Sequence, residues 1–214
     1  MQSDLPPQAA TAPSAPTERH SFLEQRRQVR ELLARIRAIV RHMAAAEQPT
    51  ERFVALLEGR LGALARVQEI LLRAPDVLPE LMELVDAELL AQSIPHDRLT
   101  VGGPPVLLSA RVAGSLALAI HELVINAIQF GALGGGAGQV AVSWTLDAAR
   151  GEVQLNWHET GSDVGEPGKT GFGWELLQNT LAYELGARTE LRLDRDGLLC
   201  VINFRPQGGA RDRK

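Results

Sequence analysis

The sequence predicts an α+β fold: a two-helix hairpin, then a sandwich in which helices cover one face of a mainly antiparallel sheet. Three observations carry that prediction. In the first third of the chain, apolar residues step by threes and fours, as on a helical seam. After residue 76, strongly apolar helices give way to short stretches that alternate apolar and polar residues. Those stretches follow one another through tight turns, as antiparallel neighbours do.

Composition sets the outer limits. The 214 residues suffice for one large domain or two small ones, and 45% hydrophobic with 22% charged residues is ordinary for a globular protein. Aromatics make up only 4%, so the core must be built from Leu, Val, Ile and Ala. A net charge of −4 argues against a nucleic-acid partner. The apolar runs fall short of a membrane span, and the start lacks a signal peptide's basic and apolar regions, so a cytoplasmic location is expected. The single cysteine, Cys200, excludes an internal disulfide and a cysteine metal cluster, and fits a small buried hydrophobe on a strand.

Residues 1–18, rich in Pro, Ala, Ser and Thr, suit a disordered leader, and residues 207–214 a mobile tail. The domain at 19–75 opens with a helix over 20–48, whose seam is Val29, Leu33, Ile36, Val40 and Met43. Pro49 breaks it and Thr50 is a candidate cap for a second helix, with Leu57, Leu61, Leu64, Gln68 and Leu71 continuing the spacing. Such a hairpin has too little core alone, so either a second copy completes a four-helix bundle or the helices pack on the rest of the chain. The second domain, 76–206, begins with a helix over 76–92 that Asp76 can cap. Residues 98–109 suggest a short hairpin around Gly-Gly-Pro-Pro, and 109–133 an apolar helix capped by Ser109. Antiparallel strands follow at 138–147 and 152–159, a helix at 171–186 ending on Gly186, and strands at 187–194 and 197–206.

Three pieces of this domain carry chemistry. In HELVINAIQFGAL (121–133), Glu122 and Asn126 lie one turn apart on an otherwise apolar helix. A carboxylate there can take a proton or orient a nucleophile, and an amide can complete the oxygen shell of Mg²⁺. In NWHETG (156–161), Glu159 can accept a hydrogen bond from an exocyclic base amine, and Gly161 lets backbone approach the base. In TGFGWELL (170–177), Gly171 and Gly173 expose N–H groups at a helix start, where phosphate oxygens bind well.

With these motifs, residues 24–206 resemble the HWE subfamily of bacterial sensor histidine kinases, within the GHKL ATP-binding superfamily. His121 matches the histidine of its N box, and Trp157 with Glu159 match its Trp-x-Glu. The resemblance implies a GHKL-type α/β sandwich that binds ATP and Mg²⁺, behind a dimerising hairpin. It implies Asn126 as the Mg²⁺ ligand and Glu122, beside His121, as the general base or orienting group. Glu159 and Gly161 would hold adenine, while Gly171 and Gly173 would border a lid at 162–170. Lys169 in that lid is either a phosphate contact or a loop charge, and His121 either a ligand or a packed helix residue.

The pattern breaks at the phosphoacceptor. In RQVRELLARIRAIVR (27–41) the acceptor position holds Arg27, and the asparagine four later is Glu31. Arginine stays protonated and has no lone pair with which to attack a phosphate. His20 and His42 lack the family's flanking residues. Gln129 stands where a lysine is frequent, and Ser162-Asp163-Val164 replaces a Gly-Pro-rich run. The expected function is therefore a two-component signalling protein that binds ATP but does not label itself. Its expected partners are a second copy, and a response regulator receiver domain or partner kinase. The alternatives are an active kinase using another histidine, and an anti-sigma-type serine kinase. No sensor domain is recognisable, so the chain is either a fragment or a protein driven by a separate sensor.

Overall fold

The computed structural model describes residues 15–44, 49–74, 77–135, 137–161, 177, 181–194 and 197–208. Lys169, Gly171, Gly173, the rest of 162–176 and the candidate cap Asp76 lie outside them. The chain forms two compact units, Met1–Glu47 and Gln48–Lys214.

The first unit is described as one helix, α1 (Ala15–Ala44). Its 30 residues span about 45 Å at 1.5 Å per residue. It begins inside the stretch expected as leader, because Pro16 falls in the first turn, where a missing N–H costs nothing. On the expected seam, Val29, Leu33 and Val40 are exposed.

In the second unit, α2 is Thr50–Arg73. Thr50 is its first helical residue and not its cap: Pro49 precedes it, with extended ψ, and accepts the first helical bond from Phe53 N–H. The buried face of α2 is Arg60, Ala63, Leu64, Val67 and Ile70, one position round from the predicted seam. Although the sequence groups α2 with α1 in 19–75, α2 packs in the same unit as the sheet.

The helix α3 (Leu81–Ala91) starts later than residue 76. Pro79 biases the residue before it to extended backbone, and Glu80 is used in a bridge to Leu107. After a 3₁₀ turn at His96–Arg98 comes β1 (Leu99–Gly102). The predicted 98–109 hairpin does not form; β1 instead lies parallel to β2 (Gln139–Asp147), with Val101 opposite Val142. Pro104 and Pro105 have no N–H for a return strand, and Pro104 gives its carbonyl to the Trp144 indole at 2.8 Å. Antiparallel pairing then joins β2 to β3 (Glu152–Thr160), β3 to β5 (Gly197–Phe204) and β5 to β4 (Arg188–Asp194), for an order β1-β2-β3-β5-β4. Strand period sends Val142, Trp144, Leu155, Trp157, Cys200 and Ile202 to one buried face.

The centre of this unit is α4 (Ala110–Gln129), capped by Ser109 Oγ accepting from Val112 N–H. Every residue from Val112 to Val124 is buried. Small residues (Ala113, Gly114, Ala117, Ala119) let α2, α3 and α5 (Leu181–Leu185) close around it. The expectation that no run reaches membrane-spanning length needs correction. By length and a mean hydropathy of 1.4, α4 qualifies, but 78% of that stretch is buried and it serves as the core helix.

Leu64→Ala should lower the unfolding free energy by about 2–5 kcal/mol, the cost of a core cavity. Leu72→Ala, 74% exposed on the same helix, should stay within about 0.5 kcal/mol in the same urea titration.

Candidate functional site

The residues singled out on α4 divide into two environments. Glu122 and His121 face the neighbouring helices and are buried, at 5% and 4% exposure. Asn126, one turn on, is half-buried, and its amide makes no hydrogen bond among the described residues.

Glu122 is held by a residue that sequence inspection passed over. Arg60 of α2, 2% exposed, donates from Nε to Oε1 at 2.6 Å and from Nη2 to Oε2 at 3.0 Å. The guanidinium fork matches the carboxylate geometry, and both oxygens are occupied. A parallel pair lies beside it: Arg66 of α2 donates to Glu88 of α3 at 3.0 and 2.5 Å, and Glu88 is 1% exposed. His121 packs into this seam. Its Nδ1 lies 3.5 Å from Glu88 Oε2, and its Nε2 fills the space where a Cβ on Gly59 would stand, 2.8 Å away. Arg60 sits at the spacing of Ala63, Leu64 and Val67, so helical period was the available signal. It was missed because arginine on a helix is normally solvated.

The second cluster forms where the end of α4 meets the end of β3. Glu159 is 2% exposed. Its Oε2 accepts from Ala132 N–H at 2.9 Å and its Oε1 from the Trp157 indole at 3.0 Å. Residues two apart on a strand share a face, which explains why a tryptophan sits two before the glutamate. Gly131 is required by the approach: a Cβ there would stand 2.0 Å from Glu159 Oε2. Gly161 follows at φ +71°, exposed and against Gly138. The structure thus brings Glu159 and Gly161 onto the 131–138 loop that leaves Asn126's helix.

Burial raises the Glu159 pKa above the ordinary 4.5, while the Ala132 and Trp157 hydrogen bonds pull it the other way. Cys200, opposite Trp157 on β5, is pushed up to about 12 by burial first and by Glu159's charge second. It is an inert core thiol, as its strand position suggested.

The donor set suits a nucleotide with Mg²⁺. The Asn126 amide oxygen, which makes no hydrogen bond among the described residues, is a hard ligand, and no cluster of three His, Cys, Asp or Glu exists among them. Mg²⁺ characteristically takes one or two protein oxygens plus phosphates and water, not a protein cage. The cleft between α3 and β1, lined by Leu89, Ile94, His96 and Val101, includes none of these residues.

The family model described as HWE histidine kinase matches residues 24–105. A blue-light-activated histidine kinase of Brucella anthropi is 32% identical over 151 residues, 69% of this chain and 31% of that protein. Its Brucella ovis counterpart is 29% identical over 174 residues, 79% of this chain and 36% of that protein. The chain therefore spans about a third of the length of these curated relatives. In fold, it is similar to a blue-light activated histidine kinase of Erythrobacter litoralis, with a TM-score of 0.63 at 17% identity, covering 84% of this chain and 63% of that one.

Truncating either member of the Arg60–Glu122 pair alone should cost about 3–5 kcal/mol, because the other charge stays buried. The double variant Arg60→Met/Glu122→Leu should recover most of that loss in urea unfolding. Glu159→Gln should cost about 1–3 kcal/mol, since its amide group sets a donor against a donor. A raised carboxyl pKa stabilises the fold fully below the unfolded value and loses that contribution as pH rises through the folded one. The stability advantage of wild type over Glu159→Gln should therefore shrink as pH is raised above 4.5.

Proposed function

Because this chain belongs to the HWE histidine kinase family, we propose that it is a two-component signalling protein that binds ATP with Mg²⁺ and does not phosphorylate itself. What supports this reading is Arg27, which the resemblance aligns with the phosphoacceptor position. It lies on the exposed face of α1, with Nη1 3.2 Å from Glu31 Oε1, four residues along. A protonated guanidinium has no lone pair to offer a phosphorus atom, so it does not act as a histidine nucleophile would.

The ATP-binding part of the proposal covers 76–206. Glu159 accepts from the exocyclic amine of adenine, with Gly161 beside the ring. Asn126 would supply an oxygen to Mg²⁺, which would offset the charge of the phosphates. Gly171, Gly173 and Lys169 are proposed for the phosphates. Glu122, beside His121, is the group that would orient a nucleophile, and Arg60 occupies both its oxygens. A carboxylate so held and only 5% exposed is kept from a substrate by the helices packed over it, which supports a quiet site. Residues 19–75 are proposed to pair with a second copy and to dock a response regulator receiver domain or a partner kinase. The exposed Val29, Leu33 and Val40 supply an apolar seam for that pairing. Cytoplasmic placement follows from the need for ATP.

Glu122, Asn126, Glu159 and Gly161 match the family's motifs while the acceptor position does not, which fits this reading; the alternative is an active kinase using another histidine. Incubation with γ-labelled ATP separates the two. Wild type should take up no acid-labile label and Arg27→His should take it up; label on wild type would sink the non-phosphorylating reading. ATP with Mg²⁺ at 100 times its Kd should stabilise the protein by about 2.7 kcal/mol in thermal unfolding. Asn126→Ala should remove the Mg²⁺-dependent part of that shift. Light scattering after size exclusion should give twice the chain mass.

A further inference from the structure

The 131–138 loop contains Gly131, Gly134, Gly135, Gly136 and Gly138, a composition with little intrinsic order. Its first half is tied to α4: Gly131 N–H and Leu133 N–H donate to Ala127 O at 3.2 and 2.8 Å. Its second half is held by a side chain from another element. Arg98, the last residue of the 3₁₀ turn before β1, donates from Nε to Gly138 O at 2.9 Å and from Nη2 to Ala132 O at 2.5 Å, with Gly135 O at 3.4 Å. One planar fork thus gathers three carbonyls from a single turn.

Ala132 is where this clamp meets the base site. Its carbonyl accepts from Arg98 and its N–H donates to Glu159, so one residue, 1% exposed, links the guanidinium to the carboxylate. Gly138, the other end of the clamp, lies against Gly161. Both residues proposed to hold adenine therefore rest on a loop whose shape Arg98 sets.

We infer that Arg98 is the positioning residue of the base site, fixing through Ala132 the Glu159 carboxylate that distinguishes adenine from guanine. Adenine presents an amine where guanine presents a carbonyl oxygen. A carboxylate held in place accepts from the first and repels the second. A carboxylate free to turn away discriminates less, because a polar site rejects the wrong group only when it cannot relax. This inference rests on the ATP-binding reading above for its ligand, but not for its geometry.

The test uses the full chain and three variants, Arg98→Met, Arg98→Lys and Ala132→Pro, with ATP and GTP titrated separately. In wild type, ATP should bind more tightly than GTP. Arg98→Met should weaken ATP about tenfold or more, the scale of a lost charge-assisted hydrogen bond, and flatten the ATP preference over GTP. Arg98→Lys, which keeps the charge but offers one ammonium for the fork, should restore part of both. Ala132→Pro removes the N–H itself and should mimic Arg98→Met.

A second readout needs no nucleotide. The Nε1–H resonance of Trp157 and the N–H resonance of Ala132 report directly on the Glu159 carboxylate. Both should shift in Arg98→Met, whereas the indole of Trp144, bonded to Pro104 O, should stay put. Unmoved Trp157 and Ala132 signals in a folded Arg98 variant, or an unchanged ATP-to-GTP ratio, would overturn the inference. Failure of wild type to bind either nucleotide would overturn the ATP-binding reading, and with it the discriminating role. The two resonances would then decide only whether Arg98 positions Glu159. If Arg98→Met does not fold, Arg98→Lys carries the same comparison.

Discussion

The buried ion pair between Arg60 and Glu122 is the constraint around which the second unit is organised. Two charges taken out of water lose several kcal/mol each, and only close bidentate geometry returns it. That geometry demands that α2 and α4 sit at one separation and one rotation. Gly59 and Ala63 on α2, and the small residues of α4, let the backbones approach that closely. Arg66 and Glu88 impose the same demand between α2 and α3. An apolar seam of the same area would tolerate sliding by a turn; paired forks would not.

This arrangement has a functional cost. The Glu122 carboxylate, 5% exposed and paired with Arg60, is closed off by the same packing that the pair fixes. Chemistry and packing draw on the same two oxygens, so any event that frees Glu122 must also loosen α2 from α4. That coupling ties the Glu122 end of α4 to α2 within one unit.

At the other end of α4 the logic is reversed. Glu159 also lies buried, but it accepts from neutral donors, a backbone N–H and an indole, each using one oxygen. A lone pair remains on each oxygen for a ligand, and burial makes an unbonded donor or acceptor there expensive. The pairing of tryptophan with glutamate two residues later is thus a local device. The strand's period puts both on one face, and the indole N–H fixes the carboxylate.

Much of this was legible in the residues. The 3.6-residue period and Ser109 defined α4, the alternating runs defined β2 and β3, and Gly161 beside the acidic residue of Trp-x-Glu marked a place of close approach. These are local facts, decided by backbone sterics and side-chain period. The parallel placement of β1 was not legible, because two prolines that look like a turn also deny a return strand its donors. Nor was the buried face of α2, because its helical spacing fits two faces one position apart. Arg60, Arg66 and Arg98 offered no signal in the sequence, since a lone arginine is usually solvated. Each became a structural anchor only when folding brought it to a carboxylate or a cluster of carbonyls distant in sequence. Sequence alone determined the elements and the chemical character of the site. Tertiary structure decided which charges were buried together, because desolvation and fork geometry depend on partners that no local pattern names.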